Sequence, residues 1–165
     1  MRSKLFLAAF AAVSLVLATS GQAVALDGVQ FGAEASFASD TDFGIGARVV
    51  VPLEMGGGNL NVIGTFDYFF VGDDYGDYSV DINYFEINAN VAYGFDIGSN
   101  IEPYAGGGLR IGHIGGDLVE GDTLIGVNIL GGAKFGVDSS ITPFAELRVS
   151  FGDGDQVYIT GGILF

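Results

Sequence analysis

The chain contains no cysteine and no tryptophan. Without cysteine there is no disulfide scaffold, no thiol nucleophile and no thiolate metal site. Bases are scarce, with 6 Lys+Arg against 20 Asp+Glu and a formal net charge of -14. Nucleic-acid binding needs a basic footprint, and this composition excludes it. Histidine occurs once, as His113, and proline three times. After the first 25 residues no apolar run is long enough for a membrane helix. What is abundant is glycine, at 28 residues, and phenylalanine, at 14. Half-hydrophobic composition, many glycines and no long apolar run predict short strands joined by tight turns. A length of 165 residues fits one domain.

The first 25 residues read as a separate object. Arg2 and Lys4 form a basic start, Leu5 to Ala18 an apolar stretch, and Ala23, Val24 and Ala25 a small-residue cleavage site. This is the pattern of a secretory signal peptide, too short to span a membrane. The expected organisation is residues 1–25 as signal peptide and 26–165 as one barrel domain. Beyond residue 25 the only bases are Arg48, Arg110, Lys134 and Arg148. No cysteine follows the cleavage site, so a lipid anchor is not expected.

From residue 30 onward, apolar residues recur with period two. Eight segments show it: Gln30–Ala38, Phe43–Leu53, Asn59–Phe70, Ile82–Phe95, Ile101–Gly112, Thr123–Gly136, Ile141–Phe151 and Val157–Phe165. Segments of roughly ten residues match strands that cross a membrane at a tilt near 45°. The connections alternate in character. Glu54–Gly58, Asp96–Asn100 and Val137–Ser140 are tight turns. Ser39–Asp42, Val71–Asp81, His113–Asp122 and Gly152–Gln156 are the other four, and together they hold eleven acids and no Lys or Arg. Pro52, Pro103 and Pro143 fall near the turn-side strand ends, where a missing ladder donor costs least. The stretch from Val91 also echoes the stretch from Gly132: both read strand, turn, Ile-x-Pro-aromatic-Ala, strand.

A soluble barrel turns its apolar face inward, and a membrane barrel turns it outward. All four bases, with Glu34, Asp67, Glu86, Glu102 and Glu146, lie on the polar-containing face, and no charge falls on the apolar face. That places the charges in the lumen and the apolar face toward lipid. Phe37, Phe43, Tyr68, Phe70, Phe85 and Phe151 would ring the loop side, and Tyr93, Phe95, Phe135 and Phe165 the turn side, as interfacial girdles. Turn-centre arithmetic sets Glu34 opposite Arg48, Glu86 opposite Arg110, Glu102 opposite Lys134, and Asp67 beside both Arg48 and Glu86. Glu146 and Arg148 complete this lumen ion network. Buried charges must be paired, and an eight-stranded barrel is just wide enough for side chains to fill it. With Phe69, Tyr104, Phe144 and Tyr158, the network is expected to plug the interior.

These features resemble a known family. The signal peptide, the strands "YFEINANVAYGF" and "IEPYAGGG", the stretches "GVNILGGAKFGV" and "ITPFAELRVSFG", and the terminal Phe are similar to the small eight-stranded outer-membrane β-barrels, those like outer membrane proteins A and X and the porin-family barrels. The resemblance covers nearly all of residues 26–165. It implies an all-β, eight-stranded antiparallel up-and-down transmembrane barrel in the outer membrane of a Gram-negative cell, acting as a monomer. It implies outer-membrane lipids and lipopolysaccharide as surroundings. It also implies that the barrel assembly machinery reads the last strand, through Phe165, Ile163, Ile159 and Val157. Unlike outer membrane protein A, the sequence carries no periplasmic domain after Phe165, so peptidoglycan anchoring is not implied.

No catalytic constellation stands out. His113 continues into Ile114, Gly115, Gly116 and Asp117, without a nearby serine, and a lone rim histidine is an ordinary interface residue. "GDDYGDYSVD" and "FGDGDQ" miss the calcium-loop pattern. No catalytic residue, metal or cofactor is therefore expected. The reading is a non-catalytic outer-membrane barrel with a structural or surface-interaction role. The alternatives are a narrow channel for ions or small polar solutes, and a soluble periplasmic barrel that binds a lipophilic ligand.

Overall fold

In the computed structural model, which describes residues 28–53, 59–75, 78–116, 119–137 and 140–165, eight antiparallel strands close on themselves. They are β1 (Gln30–Ala38), β2 (Asp42–Leu53), β3 (Leu60–Tyr75), β4 (Tyr78–Gly94), β5 (Ile101–Gly116), β6 (Val119–Phe135), β7 (Thr142–Gly152) and β8 (Gln156–Leu164). Each pairs with its neighbours in sequence, and β1 closes the ring on β8 through pairs such as Gly32 with Leu164 and Ala38 with Tyr158. The architecture is thus an up-and-down barrel with no free edge. The expected signal peptide, residues 1–25, and the turn at 54–58 lie outside the described residues.

The period-two pattern becomes two faces. Along β8, Val157, Ile159, Gly161 and Ile163 are exposed, while Tyr158, Thr160 and Leu164 are buried. Outside, large apolar side chains stand bare, among them Leu109, Ile125 and Ile129, each 60% exposed. Inside are the charges. On β6 the bare apolar face runs from Ile125 to Phe135. Ten steps at ~3.3 Å, tilted ~40°, give a band about 25 Å tall, the height of an outer-membrane barrel's apolar belt.

Two of the expected loops are strand instead. Residues 71–75 and 78–81 continue the β3–β4 hairpin, and residues 113–116 and 119–122 continue β5–β6. The wall from β3 to β6 therefore stands higher than β1, β2, β7 and β8. The two faces exchange character where this wall begins. Asn83 and Thr123 now point outward and are exposed, while Val71, Ile114 and Leu124 point inward and pack on buried aromatics. Below that line the outer surface meets an apolar medium, and above it water, so the apolar residues change sides. The alternation is weak there because both faces carry mixed residues, which is why those segments read as loops.

Candidate functional site in the barrel interior

Three levels of side chains fill the lumen. Toward the turn side, Val50, Ile63, Ala92, Tyr104, Leu130, Phe144 and Leu164 form an apolar cluster. Toward the loop side, Ala38, Phe69, Tyr84 and Tyr158 form an aromatic one. Between them lies the ion network.

Arg48 is its first hub. Its Nε donates to Glu34, and its two terminal nitrogens donate to Glu146 at 2.8 and 2.9 Å, a bidentate fork. Tyr104 donates to the same Glu146 at 2.9 Å, and the Arg48 guanidinium lies 4.2 Å from the centre of the Phe144 ring. Glu86 is the second hub. It accepts from the hydroxyls of Tyr84 and Tyr158, from Arg110 at 3.3 Å and from Arg148 at 3.4 Å. Arg148 also lies 3.7 Å from Asp67 and over the Tyr158 ring at 4.3 Å. A neutral chain joins the hubs to the far wall: Asn88 donates to Thr65, and Asn128 to Asn88 and Asn90.

Arg110 leaves the network in one direction. Its second terminal nitrogen donates to the backbone carbonyls of Asp153 at 2.6 Å and Gly154 at 2.7 Å. These carbonyls belong to the short β7–β8 turn, where Gly152 and Gly154 have φ of 134° and 76°, a backbone that favours glycine. A fully buried guanidinium thus holds an external turn from inside the barrel. Gly126 makes room, since a Cβ there would stand 3.1 Å from Arg110 Nε.

The expected ionic residues lie on the inner face, but two registers differ by two residues. The β1–β2 turn centres on Asp40, not Thr41, so Gly32 faces Arg48 and Glu34 faces Gly46. The β4–β5 turn centres on Ser99, not Gly98, so Asn88 faces Arg110 and Glu86 faces Gly112. Shifting a turn centre by one residue moves the partner by two and keeps the face. Long arginines still bridge that diagonal offset. Glu102 does face Lys134, and their contact is 3.3 Å. Asp67 faces Glu86 as expected, but Arg48 faces Thr65, and the cation near Asp67 is Arg148.

Sequence reasoning named Tyr104 and Phe144 but passed over Tyr84 and, in the apolar level on the turn side, Val50, Ile63, Ala92 and Leu130. A signal for the latter exists. At those strand ends the alternation gives way to consecutive apolar residues, as in Val49-Val50-Val51 and Ile129-Leu130, which means that both faces are apolar. The residues expected to be read in assembly lie on β8 and just after it: Val157, Ile159, Ile163 and Phe165 are all exposed, and Phe165 exchanges backbone hydrogen bonds with Phe31 at 2.8 and 3.1 Å. His113 packs its ring against Phe85, 5.3 Å between centres, on the outer face.

No family model and no curated protein sequence matches the chain significantly. Solved structures do match. The barrel superposes on Neisserial surface protein A with a TM-score of 0.63 at 20% identity, over 82% of this chain and 94% of that one. It superposes on the N-terminal barrel domain of Pseudomonas aeruginosa OprF with a TM-score of 0.64 at 15% identity, over 83% and 95%. It also matches Ail, the attachment invasion locus protein of Yersinia pestis, with a TM-score of 0.54 at 15% identity, over 82% and 93%. Another structure of Ail holds the heparin analogue sucrose octasulfate. The fold is that of the small eight-stranded outer-membrane β-barrels.

Proposed function

We propose that this chain is an integral outer-membrane barrel that does not conduct and does not catalyse, and that its work lies in the envelope and at the cell surface. One observation carries the reading. Ser36, Asp67, Glu86, Arg110, Ser150 and Tyr158 have zero exposure, and they come from six of the eight strands. Solvent reaches none of them from either mouth, so the lumen is closed at their level. The bare apolar belt supports residence in lipid, because an exposed apolar surface this extensive is not kept in water. The same two faces speak against a soluble binder of lipophilic ligands, whose cavity would be apolar.

The surroundings that fit this reading are outer-membrane lipids and lipopolysaccharide, with the barrel assembly machinery acting on β8 during biogenesis. The external partner is a separate question of charge. Ail has been seen with a polyanion, but the four external connections here carry eleven acids and no Lys or Arg. A polyanion would be repelled, and a cationic partner is the one this surface suits.

Three measurements test the reading. The protein should fractionate with outer membranes and migrate faster on gels unheated than boiled. Recovery from the soluble periplasm would end the membrane reading. In planar bilayers it should give no conductance steps, and regular steps would favour the channel. On intact cells, binding of a fluorescent polycation should fall when Asp73, Asp74, Asp77 and Asp81 are changed to Asn. Binding of heparin instead would overturn the surface assignment.

A further inference from the structure

The charges inside the barrel do not balance. Among the described side chains below the loop-side rim, five acids face inward, Glu34, Asp67, Glu86, Glu102 and Glu146, against the four bases Arg48, Arg110, Lys134 and Arg148. Glu102 and Lys134 pair near the turn side, where the Glu102 side chain is 42% exposed and solvent can screen the pair. The other seven are sealed, four carboxylates against three guanidiniums. A sealed interior does not sustain one uncompensated carboxylate. A single positive charge must be added somewhere among them.

Two oxygens mark the place. Glu34 Oε1 and Asp67 Oδ1 are buried and accept no hydrogen bond. The two side chains meet across Gly46, which faces Glu34 on one side and Asp67 on the other. A Cβ on Gly46 would stand 2.3 Å from Asp67 Oδ1, so the glycine provides the space in which the acids approach. Their other oxygens are engaged: Glu34 Oε2 by Arg48, and Asp67 Oδ2 by Thr65 at 3.0 Å and Asn88 at 3.4 Å, with Arg148 at 3.7 Å.

We propose that Glu34 and Asp67 form a binding site for one proton, which sits between their facing oxygens. Two acceptors cannot bond to each other. One proton makes a donor of one and leaves an acceptor in the other, so both orphan oxygens are satisfied and the sealed charges balance at three against three. Of the groups around the site, Arg148 keeps an unpartnered Nε, and its contact with Asp67 runs from a terminal nitrogen to Oδ2, not to the free Oδ1. Glu34 meets Arg48 from β2 and Asp67 from β3, while β8 presents Thr160 and Gly162, which do not titrate. Asp67 meets Arg148 from β7 and Glu86 from β4. A metal ion fits less well. Hard cations take about six oxygen ligands, whereas this gap offers two free ones, and the described residues contain no group of three or more side chains suited to a metal.

The test uses the whole chain reconstituted in lipid. Infrared spectra at neutral pH should show one protonated carboxylic acid in the wild type. The signal should vanish in Glu34→Gln and in Asp67→Asn, whose amides can donate across the same gap without an extra proton. The folding equilibrium of the wild type should fall about tenfold per pH unit as pH rises above the ordinary carboxylate range, for as long as the folded state keeps its extra proton. In either variant that slope should disappear. A wild type without the signal, or a signal unchanged by Glu34→Gln, overturns the proposal. So does stability that follows sodium concentration at fixed ionic strength and ignores pH, which would put a metal cation in the gap. The wild-type spectrum alone decides if either variant fails to fold, and no outcome depends on where the barrel resides in the cell.

Discussion

Replacing Arg110 with alanine tests whether the ion network holds the barrel together. Arg110 is fully buried and donates to four oxygens: Glu86 at 3.3 Å, Tyr158 at 2.8 Å, and the carbonyls of Asp153 at 2.6 Å and Gly154 at 2.7 Å. Removing one partner of a buried pair costs about 3–5 kcal/mol, mostly because the other charge is stranded. Two backbone carbonyls also lose a charged donor, at roughly 1.5–3 kcal/mol each if unrelieved. Water can reach the short turn once the guanidinium has gone, so that loss is partly recovered. We therefore expect about 4 kcal/mol in total, nearly a thousandfold in the folding equilibrium. Urea unfolding of the barrel in lipid vesicles measures it. Arg110→Ala combined with Glu86→Gln should recover about half, because Glu86, which keeps Arg148 but has lost its other guanidinium, then no longer adds an excess sealed negative charge. Limited proteolysis should cut near Asp153 sooner in both variants, since both release the turn. Neither should conduct, because the apolar level from Val50 to Leu164 stays in place. A cost below about 1 kcal/mol, the value of an exposed pair, would refute the reasoning. So would a double variant no more stable than Arg110→Ala.

Ile129→Arg, at mid-height on the bare outer face, should cost about 2–4 kcal/mol of insertion stability, whereas Phe165→Arg near the interface should cost about 0–1 kcal/mol; vesicle refolding titrations compare them. Deleting Phe165 should nonetheless slow insertion in cells, because it removes an exposed ring and two backbone bonds to Phe31, and normal insertion would count against a role for this residue in assembly. Gly108→Ala should destabilise by about 1–3 kcal/mol, the usual cost of overpacking, since its Cβ would stand 2.1 Å from the Ala89 carbonyl oxygen. Gly115→Ala, whose nearest neighbour is 3.6 Å away, should unfold at the wild-type urea concentration.

Strand number and face were legible in the sequence because both follow from one strong signal. Between two media of opposite polarity, each strand must alternate, and a strand such as Val157 to Leu164 does so without a break. Register was less legible, because it depends on the turn. The Asp96 side chain accepts from the Gly98 backbone at 2.9 Å and Gly98 takes φ of 69°, yet the hairpin centres on Ser99. Counting residues cannot tell those centres apart, and the arginines hide the error because they reach across it. The long hairpins were legible only in part, since the lipid that enforces alternation ends near Phe70 and Ile125 and water permits either face. The partners inside the lumen were the least legible. Glu34 and Asp67 are 33 residues apart, on strands that do not pair. They meet because Gly46, on the strand between them, lacks a side chain. Alternation can place both acids indoors, but only the β1–β2 and β2–β3 registers set both against Gly46, and it is there that the charge count has a physical consequence.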